Sequence, residues 1–374
     1  MAVITFPSTL SASKATWSQQ RKDVAYNSIF GSQAVEVASP VWNATVEAVP
    51  MHDSDSGEWK ALLMKLRGKT NQLELWDMGR PDPVGTMRGT MTLSPNMLSY
   101  PDDLDNAYWT KSNVTVTANT TGVYDTVDDA SAAASGFITK VLTSYDQSKT
   151  WQASVDVLKD ATPAATRFCS LRVDYLTGGT AEFYSVGLDT STGDIAARLD
   201  ATAADIAVVD NGTYWALTVK GRVVDTANTS VACRFFPATG AGTVGGAASV
   251  ATTGSCQIKN LRLRTLNLQG DTSAHIYASG ETSKTLVQGD LIGVGTGATQ
   301  QVVMVTENAT SDSSAIINVT FEPPLRNDHA IDASVTWDKP KALFRRTDSQ
   351  AGWEYSNGTF VSGFTLNLVE DWRP

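Results

Sequence analysis

The chain has 374 residues, of which 42% are hydrophobic and 18% are charged, and this length favours two globular domains with room for a third. A formal charge of -10, with no sustained basic patch, argues against a protein that wraps duplex nucleic acid. No run of about 18 apolar residues is present, so membrane insertion through a helix is not expected. The N-terminal stretch has no Lys or Arg before Lys14 and does not resemble a secretory signal peptide.

One amphipathic helix is predicted within the first 95 residues, which otherwise look mostly β. Asp55 is the expected N-cap, Glu58 completes a capping box and Gly68 marks the C-terminal end. Four apolar residues between them fall at i, i+3, i+4 and i+7: Trp59, Leu62, Leu63 and Leu66. This spacing is typical of a helix that packs one face on a sheet or on another helix.

The composition changes at residue 96, and up to residue 266 the chain is rich in Thr, Ala, Ser, Asp and Gly. Short runs in this segment alternate apolar and polar side chains, and they are found at 114–118, 155–157, 171–175, 215–219 and 261–263. The alternation predicts an antiparallel β-sandwich whose sheets each keep one solvated face. A Gly- and Ala-rich loop is predicted over 238–250.

The segment from 267 to 374 is closer in style to the start of the chain than to the middle. Residues 286–295 indicate a tight turn between two strands, and the alternating run 317–321 should stop at Pro323. Leu366 and Leu368 alternate with polar residues near the end. The sequence therefore predicts a mainly β fold with one amphipathic helix.

No catalytic, metal or cofactor site is predicted. The sequence has no G-x-S-x-G elbow, no H-E-x-x-H helix and no phosphate-binding P-loop, since 293–297 is Gly-rich but lacks the Lys-Ser/Thr pair. Because the number of cysteines is odd, a framework of disulfides is not expected. The Cys and His residues do not have the spacing of a zinc-binding motif. These residues are Cys169, Cys233, Cys256, His52, His275 and His329.

Acidic residues cluster at 102–105, 125–129, 189 and 200–205. Surface turns are the favoured interpretation, and Ca²⁺ binding is the alternative, although no twelve-residue calcium loop is present. A pair of these carboxylates separated across a sugar would make a glycosidase, a further alternative. Their turn-like settings favour a protein that is not an enzyme.

Aromatic residues of the middle segment are the remaining candidates for a binding site, because flat aromatic rings stack on sugar rings. Most are expected in the sandwich core, as the alternation of Trp215 with Leu217 indicates. Contact with a glycan is predicted for three of them: Trp151, Tyr175 and Tyr184.

Five motifs of the middle segment occur at 96–100, 105–110, 113–117, 188–193 and 211–215. Together they resemble the carbohydrate-binding-module-like jelly-roll domains that are common in bacteriophage tail proteins. In that family the motif residues are mainly structural. The resemblance therefore implies the jelly-roll fold more strongly than it implies a sugar.

Short motifs in the flanking segments follow one another in a set order, at residues 6–7, 59–68, 289–290, 321–326 and 364–371. In order and spacing they resemble the phage distal tail protein, a baseplate component that caps long non-contractile tails. The resemblance implies a discontinuous tail-tip domain into which the sandwich is inserted.

On this interpretation residues 1–95 and 267–374 form the tail-tip domain and residues 96–266 form the inserted sandwich. The family implies a ring, with six copies by analogy, that contacts the tail tube, the baseplate hub and the tail fibre proteins. Such a protein would be assembled in the host bacterial cytoplasm and reside at the virion tail tip, where the inserted domain would face host surface polysaccharide. A free carbohydrate-binding or adhesion protein is the alternative, and a glycan-cleaving tail enzyme is a third.

Overall fold

A computed structural model shows a mainly β protein, as the alternating sequence predicted, with 53% of residues in strands. The structure describes residues 2–28, 31–118, 124–131, 134–143, 145–160, 168–245, 252–356 and 360–371. The chain divides into two compact units, Met1–Ser94 with Asn267–Pro374 (the discontinuous unit) and Pro95–Leu266 (the middle unit). The composition change at residue 96 lies next to the first of these divisions.

The elements are numbered in chain order. The first segment of the discontinuous unit contains β1 Val3–Thr5, β2 Ala12–Ser28, β3 Gly31–Ala48, β4 Met51–His52, α1 Gly57–Leu66, β5 Gln72–Trp76 and β6 Met91–Leu93. The middle unit contains β7 Thr110–Ser112, β8 Thr115–Thr117, β9 Asp125–Asp129, β10 Phe137–Thr143, β11 Thr150–Leu158, β12 Phe168–Leu176, β13 Glu182–Asp189, β14 Ile195–Leu199, β15 Ile206–Asp210, β16 Tyr214–Arg222, β17 Ser230–Thr239 and β18 Gly254–Thr265. The second segment contains β19 Ser273–Ala278, β20 Thr285–Leu286, β21 Leu291–Val294, β22 Gln301–Val305, β23 Ala309–Thr310, β24 Ile316–Glu322, β25 Ser334–Thr336, β26 Lys341–Arg346, β27 Glu354–Ser356, β28 Phe360–Ser362 and β29 Thr365–Glu370. Short 3₁₀ turns occur at Asp53–Asp55, Ala203–Asp205 and Gly297–Thr299.

The discontinuous unit combines an open sheet with a closed barrel. The sheet has the order β1-β5-β26-β29-β3-β2, and the barrel has the order β19-β24-β22-β21-β25-β6. Both bodies draw strands from the two chain segments: β6 pairs with β19 and β25 in the barrel, and β3 pairs with β29 in the sheet. The two segments are therefore joined by backbone hydrogen bonds as well as by side-chain packing.

Helix α1 packs against the open sheet through the predicted apolar stripe. Trp59, Leu62, Leu63 and Leu66 are all buried in one core cluster with sheet residues. The predicted cap at Asp55 is wrong, because a 3₁₀ turn at Asp53–Asp55 runs almost directly into the helix. Ser56 precedes α1 in the αR conformation and makes no side-chain capping bond. At the other end Arg67 adopts the left-handed conformation, followed by Gly68 at φ +63°.

The predicted turn between β20 and β21 is confirmed. The backbone N–H of Asp290 donates to the carbonyl of Val287 over 2.9 Å, and Gly289 has φ +88°. The buried carboxylate of Asp290 accepts further bonds from the backbone N–H groups of Val84, Gly85 and Val287. Since an unpaired buried carboxylate is costly, these three donors explain how Asp290 is tolerated inside.

The middle unit is a sandwich of two six-stranded antiparallel sheets. Sheet I has the order β14-β13-β12-β17-β10-β7, and sheet II has the order β15-β16-β11-β18-β9-β8. Strands β11 and β16 alternate buried and half-buried residues, as their sequences predicted. One continuous core fills the space between the sheets.

Sheet I departs from the prediction of a solvated outer face. Seven consecutive residues of β12 are buried, including Arg172 and Asp174 on its outer side. The segment after β17 covers this side: Arg172 Nη1 donates to the carbonyl of Gly245 over 2.9 Å. The loop prediction over 238–250 is wrong at its start, since β17 extends to Thr239, and residues 246–250 lie outside the described chain.

A buried ion cluster holds the outer side of sheet I together. Asp174 Oδ1 lies 2.5 Å from Arg172 Nε, and Asp174 Oδ2 lies 2.8 Å from Arg234 Nε. The guanidinium of Arg172 stacks over the rings of Phe183 and Phe236 at 4.6 and 5.1 Å. Burial raises the pKa of Asp174, and the two guanidinium groups oppose that shift. This face is filled by protein and offers little surface to a ligand.

Candidate functional site

An open polar groove lies on the outer face of sheet II, where β9 pairs with β18. Thr126 is directly opposite Gln257, and Asp128 is directly opposite Ser255. Their neighbour Val127 is fully buried in the core, so by strand alternation these four polar side chains point outward. They line a groove of about 350 Å³ together with residues that follow β11, including Lys159 and Asp160.

Lys159, one of the residues that line the groove, is held by two contacts. Its Nζ lies 2.5 Å from Asp210 Oδ1 and 4.0 Å from the centroid of the Trp215 ring. The hydrogen bond from Lys159 lowers the pKa of Asp210. Trp215 in turn donates from Nε1 to the carbonyl of Thr190 over 2.9 Å. This network holds the segment after β11 and the segment after β13 in place beside the groove.

Aromatic rings border the same face. Tyr214 is paired with the groove residue Leu158, and its ring lies 6.4 Å from that of Tyr124. The ammonium of Lys259 sits over both rings, at 4.7 Å from Tyr124 and 5.1 Å from Tyr214. Tyr214 is half-buried, so part of its ring is open to solvent next to the polar array.

The groove has the chemistry of a site for a polyhydroxylated ligand. Carboxylates accept hydrogen bonds from hydroxyl groups, and the amide of Gln257 both donates and accepts. The side chains of Asp128 and Gln257 are exposed and make no hydrogen bond to any described residue. They are therefore available to a ligand without the loss of an existing bond.

The three aromatic residues predicted to contact a glycan are brought together, but mostly inside the core. Trp151 and Tyr175 are 1% and 0% exposed. Tyr145 lies 6.1 Å from Trp151 and 5.9 Å from Tyr175, and Tyr175 lies 6.0 Å from Tyr184. Sugar stacking needs an open ring face, so the prediction that Trp151 and Tyr175 contact a glycan is wrong, and both are core residues. Tyr184 is half-buried and keeps some exposed surface.

The prediction of a surface turn for the acidic cluster at 125–129 is also wrong. It forms strand β9 rather than a surface turn, with Asp125 and Asp129 buried and Asp128 exposed. The buried carboxylates accept backbone hydrogen bonds, from Leu104 to Asp125 and from Gly136 to Asp129. The alternation of Thr126 with Asp128 is visible in the sequence, but their pairing with Gln257 and Ser255, on a strand far away in the chain, is not.

Among the described residues no group of three or more His, Cys, Asp or Glu side chains could hold a metal ion. The three cysteines are buried free thiols. In the part of the chain that the structure describes, no helix has both the length and the apolar character needed to cross a membrane.

No protein-family model and no characterised protein sequence matches this chain. Among solved structures it is similar to the enzymatically active domain of tailspike protein 4 from bacteriophage CBA120, with 14% identity and a TM-score of 0.28 over 46% of this chain and 21% of that one. It is also similar to the CBM22-1–GH10 modules of xylanase 10B from Clostridium thermocellum in complex with xylohexaose, with 14% identity and a TM-score of 0.28 over 52% of this chain and 31% of that one. The chain thus spans less than a third of either structure, and similarity at this level carries no functional argument.

Proposed function

We propose that this chain is a structural protein of a phage tail tip, in which the discontinuous unit assembles as a ring and the middle unit binds host surface polysaccharide. The observation that carries the proposal is that the two sequence resemblances fall in different structural units. Every motif similar to distal tail proteins lies in the discontinuous unit, and every motif similar to carbohydrate-binding modules lies in the middle unit. A ring-forming protein with an inserted binding domain is expected to show this division.

In the proposed assembly six copies form a closed ring that joins the tail tube to the baseplate hub and the tail fibres. The ring is built in the host cytoplasm and becomes part of the virion. A closed ring requires head-to-tail contacts between copies. It also presents several middle units at once, so weak polysaccharide contacts add up through avidity.

The polar groove of sheet II is the proposed polysaccharide site. Asp128 and Gln257 supply acceptors and donors for sugar hydroxyls, and Tyr214 supplies part of a ring face. The buried ion cluster of sheet I is assigned a structural role, because Asp174 is 0% exposed. We propose binding without hydrolysis.

The test is the mass and shape of the purified full chain, measured by light scattering and negative-stain electron microscopy. Closed rings of uniform size support the proposal. A protein that stays monomeric at every concentration, and that still binds polysaccharide, would favour the free adhesion protein. Release of reducing sugar that is lost in Asp128→Ala would favour the tail enzyme.

A further inference from the structure

An exposed tyrosine of the middle unit is held in a backbone conformation that bulky residues avoid. Tyr100 has φ +54°, in the left-handed region, and it is the only aromatic residue with a positive φ among the described residues. A Cβ atom makes this conformation costly, so it persists where surrounding contacts impose it. The side chain of Tyr100 is nevertheless 52% exposed. The fold therefore fixes a flat ring at the surface without burying it.

Two hydrogen bonds hold the backbone of Tyr100. Its carbonyl accepts from Trp109 Nε1 over 3.0 Å and from the backbone N–H of Asp103 over 3.3 Å. Trp109 is 3% exposed and belongs to the core between the two sheets. The conformation of Tyr100 is thus tied to the core of the middle unit.

The ring of Tyr100 lies against a second tyrosine ring. The ring centroids of Tyr100 and Tyr108 are 5.9 Å apart, with their planes inclined by 55°. Tyr108 is fixed in turn: Trp109 meets it edge-on at 5.5 Å, and Lys140 Nζ lies 4.0 Å from its ring centroid and donates to its carbonyl over 3.2 Å. We call these two rings the tyrosine platform. Tyr108 is half-buried, so the open part of the platform belongs mainly to Tyr100.

Polar side chains next to the platform suit the hydroxyl groups of a sugar. Asp102 and Asp103 follow Tyr100 closely in the chain, and both are exposed. Asn106 donates from Nδ2 to Asp103 Oδ2 over 3.2 Å. The C–H face of a sugar packs on an aromatic ring, and the sugar hydroxyls donate to carboxylates. An exposed ring beside exposed carboxylates therefore has the chemistry to hold one sugar.

The platform lies beside the strand that lines the polar groove. Asp102 Oδ1 accepts from the backbone N–H of Asn260 over 3.1 Å, and the carbonyl of Pro101 accepts from the backbone N–H of Leu261 over 3.1 Å. Gln257 of the groove precedes Asn260 by three residues on β18. Since a strand rises by about 3.3 Å per residue, the separation along β18 is roughly 10 Å. One extended ligand can reach both places.

We propose that the ring of Tyr100 is a second polysaccharide contact, on which one sugar of the bound chain stacks while another occupies the polar groove. The same polysaccharide is the occupant because the platform continues the groove along β18. The inference rests on the proposed polysaccharide binding and adds a dependence on chain length. An oligosaccharide that fills only the groove does not reach Tyr100.

Substitutions of Tyr100 in the full chain separate the ring from the backbone. Tyr100→Gly and Tyr100→Asn remove the ring, and both residues tolerate the left-handed conformation. Each should lower affinity by about threefold to tenfold without lowering the urea midpoint. Tyr100→Trp keeps a flat ring and should retain binding. Tyr277→Ala removes a tyrosine of the discontinuous unit that is 38% exposed, and as the control it should bind like the unmodified chain.

Calorimetric titration uses a panel of purified bacterial polysaccharides, and oligosaccharides of increasing length made from the one that the unmodified chain binds. The effect of removing the ring should be absent for the shortest binding oligosaccharide and should grow with length. An effect that is equal at every length would overturn the contact. Loss of binding together with a lowered urea midpoint in both ring-less variants would make Tyr100 structural, and would overturn it too.

The outcomes separate this inference from the proposed function. If the unmodified chain binds polysaccharide, and Asp128→Ala weakens binding but neither ring-less variant does, the Tyr100 contact is wrong and the groove stands. If the unmodified chain binds no polysaccharide, the proposed binding fails and the contact fails with it.

Discussion

Arg326 and Glu370 form a buried ion pair that connects the two bodies of the discontinuous unit. Arg326 Nη1 lies 2.6 Å from Glu370 Oε1, and their side chains are 3% and 2% exposed. Arg326 also donates to the carbonyl of Pro40, and Glu370 accepts from the backbone N–H of Trp42. Because Pro40 and Trp42 lie on β3, the pair also binds this strand of the open sheet.

Removal of one partner of this pair should be strongly destabilising. Arg326→Met leaves the carboxylate of Glu370 buried without its cation, and the free energy of unfolding should fall by about 3–5 kcal/mol. Urea unfolding of the full chain measures the change. The double variant Arg326→Met with Glu370→Leu removes both charges and should lose much less. A single variant as stable as the unmodified chain would show that the pair contributes nothing.

His329 should make the discontinuous unit sensitive to mild acid. Burial lowers the pKa of His329 below its usual 6.5, with Asp328 opposing the shift, and its Nε2 has no hydrogen-bond partner among the described residues. Below pH 6.5 the unfolded chain takes up a proton that the native imidazole resists. Stability is therefore fully present above pH 6.5 and is lost as the pH falls towards the native pKa.

The comparison of unmodified chain with His329→Gln isolates this effect from other titrating groups. Urea midpoints are measured on both sides of pH 6.5. The variant should lose less stability than the unmodified chain as the pH falls. Equal slopes in the two proteins would contradict the assignment.

The cysteines should be inert in the folded protein. Hydrogen bonding to Cys256 and burial raise the pKa of Cys169, and burial raises the pKa of Cys233, helped by Asp174. The thiolate is the reactive form, so native thiols should react with Ellman's reagent far more slowly than unfolded ones. In guanidinium chloride all three should react. Rapid native reaction of Cys169 or Cys233 would place it outside the core.

Substitutions in the polar groove should weaken polysaccharide binding without unfolding the middle unit. Asp128→Ala and Gln257→Ala each remove one hydrogen-bonding group and should lower affinity by about threefold to tenfold. Calorimetric titration against a panel of purified bacterial polysaccharides measures this. Lys220→Ala, on the same outer face at the other end of β16, is the matched control. If only Lys220→Ala lost binding, the polysaccharide site would lie near Lys220 and not in the polar groove.

The periodic spacing of apolar residues in the sequence predicts the helix and strands in which buried positions recur at a regular interval. The stripe from Trp59 to Leu66 and the alternation around Leu217 both match the structure. The outer side of β12 is not predictable from the sequence, because Arg172 and Asp174 resemble a solvated face. Only the fold shows that Arg234 pairs with Asp174 and that the carbonyl of Gly245 accepts a hydrogen bond from Arg172. Burial there is set by residues that are distant in the chain.

The candidate site was missed for the same reason. Thr126 and Gln257 lie on strands that only the fold brings together, and the sequence favours a turn where Asp128 lies in strand β9. The flat ring of Trp151 favours a glycan contact on sequence grounds, but the position of Trp151 in β11 directs the ring into the core, where burial of a large apolar side chain is most stabilising.

The proposed function, a tail-tip protein that carries an outward binding domain, is tested most directly by immunogold labelling of the virions released by cells that express the chain. The antibody is raised against residues 95–266. Label concentrated at the free end of the tail is the predicted result. Virions that carry no label, while the protein is abundant in the infected cell, would contradict the claim.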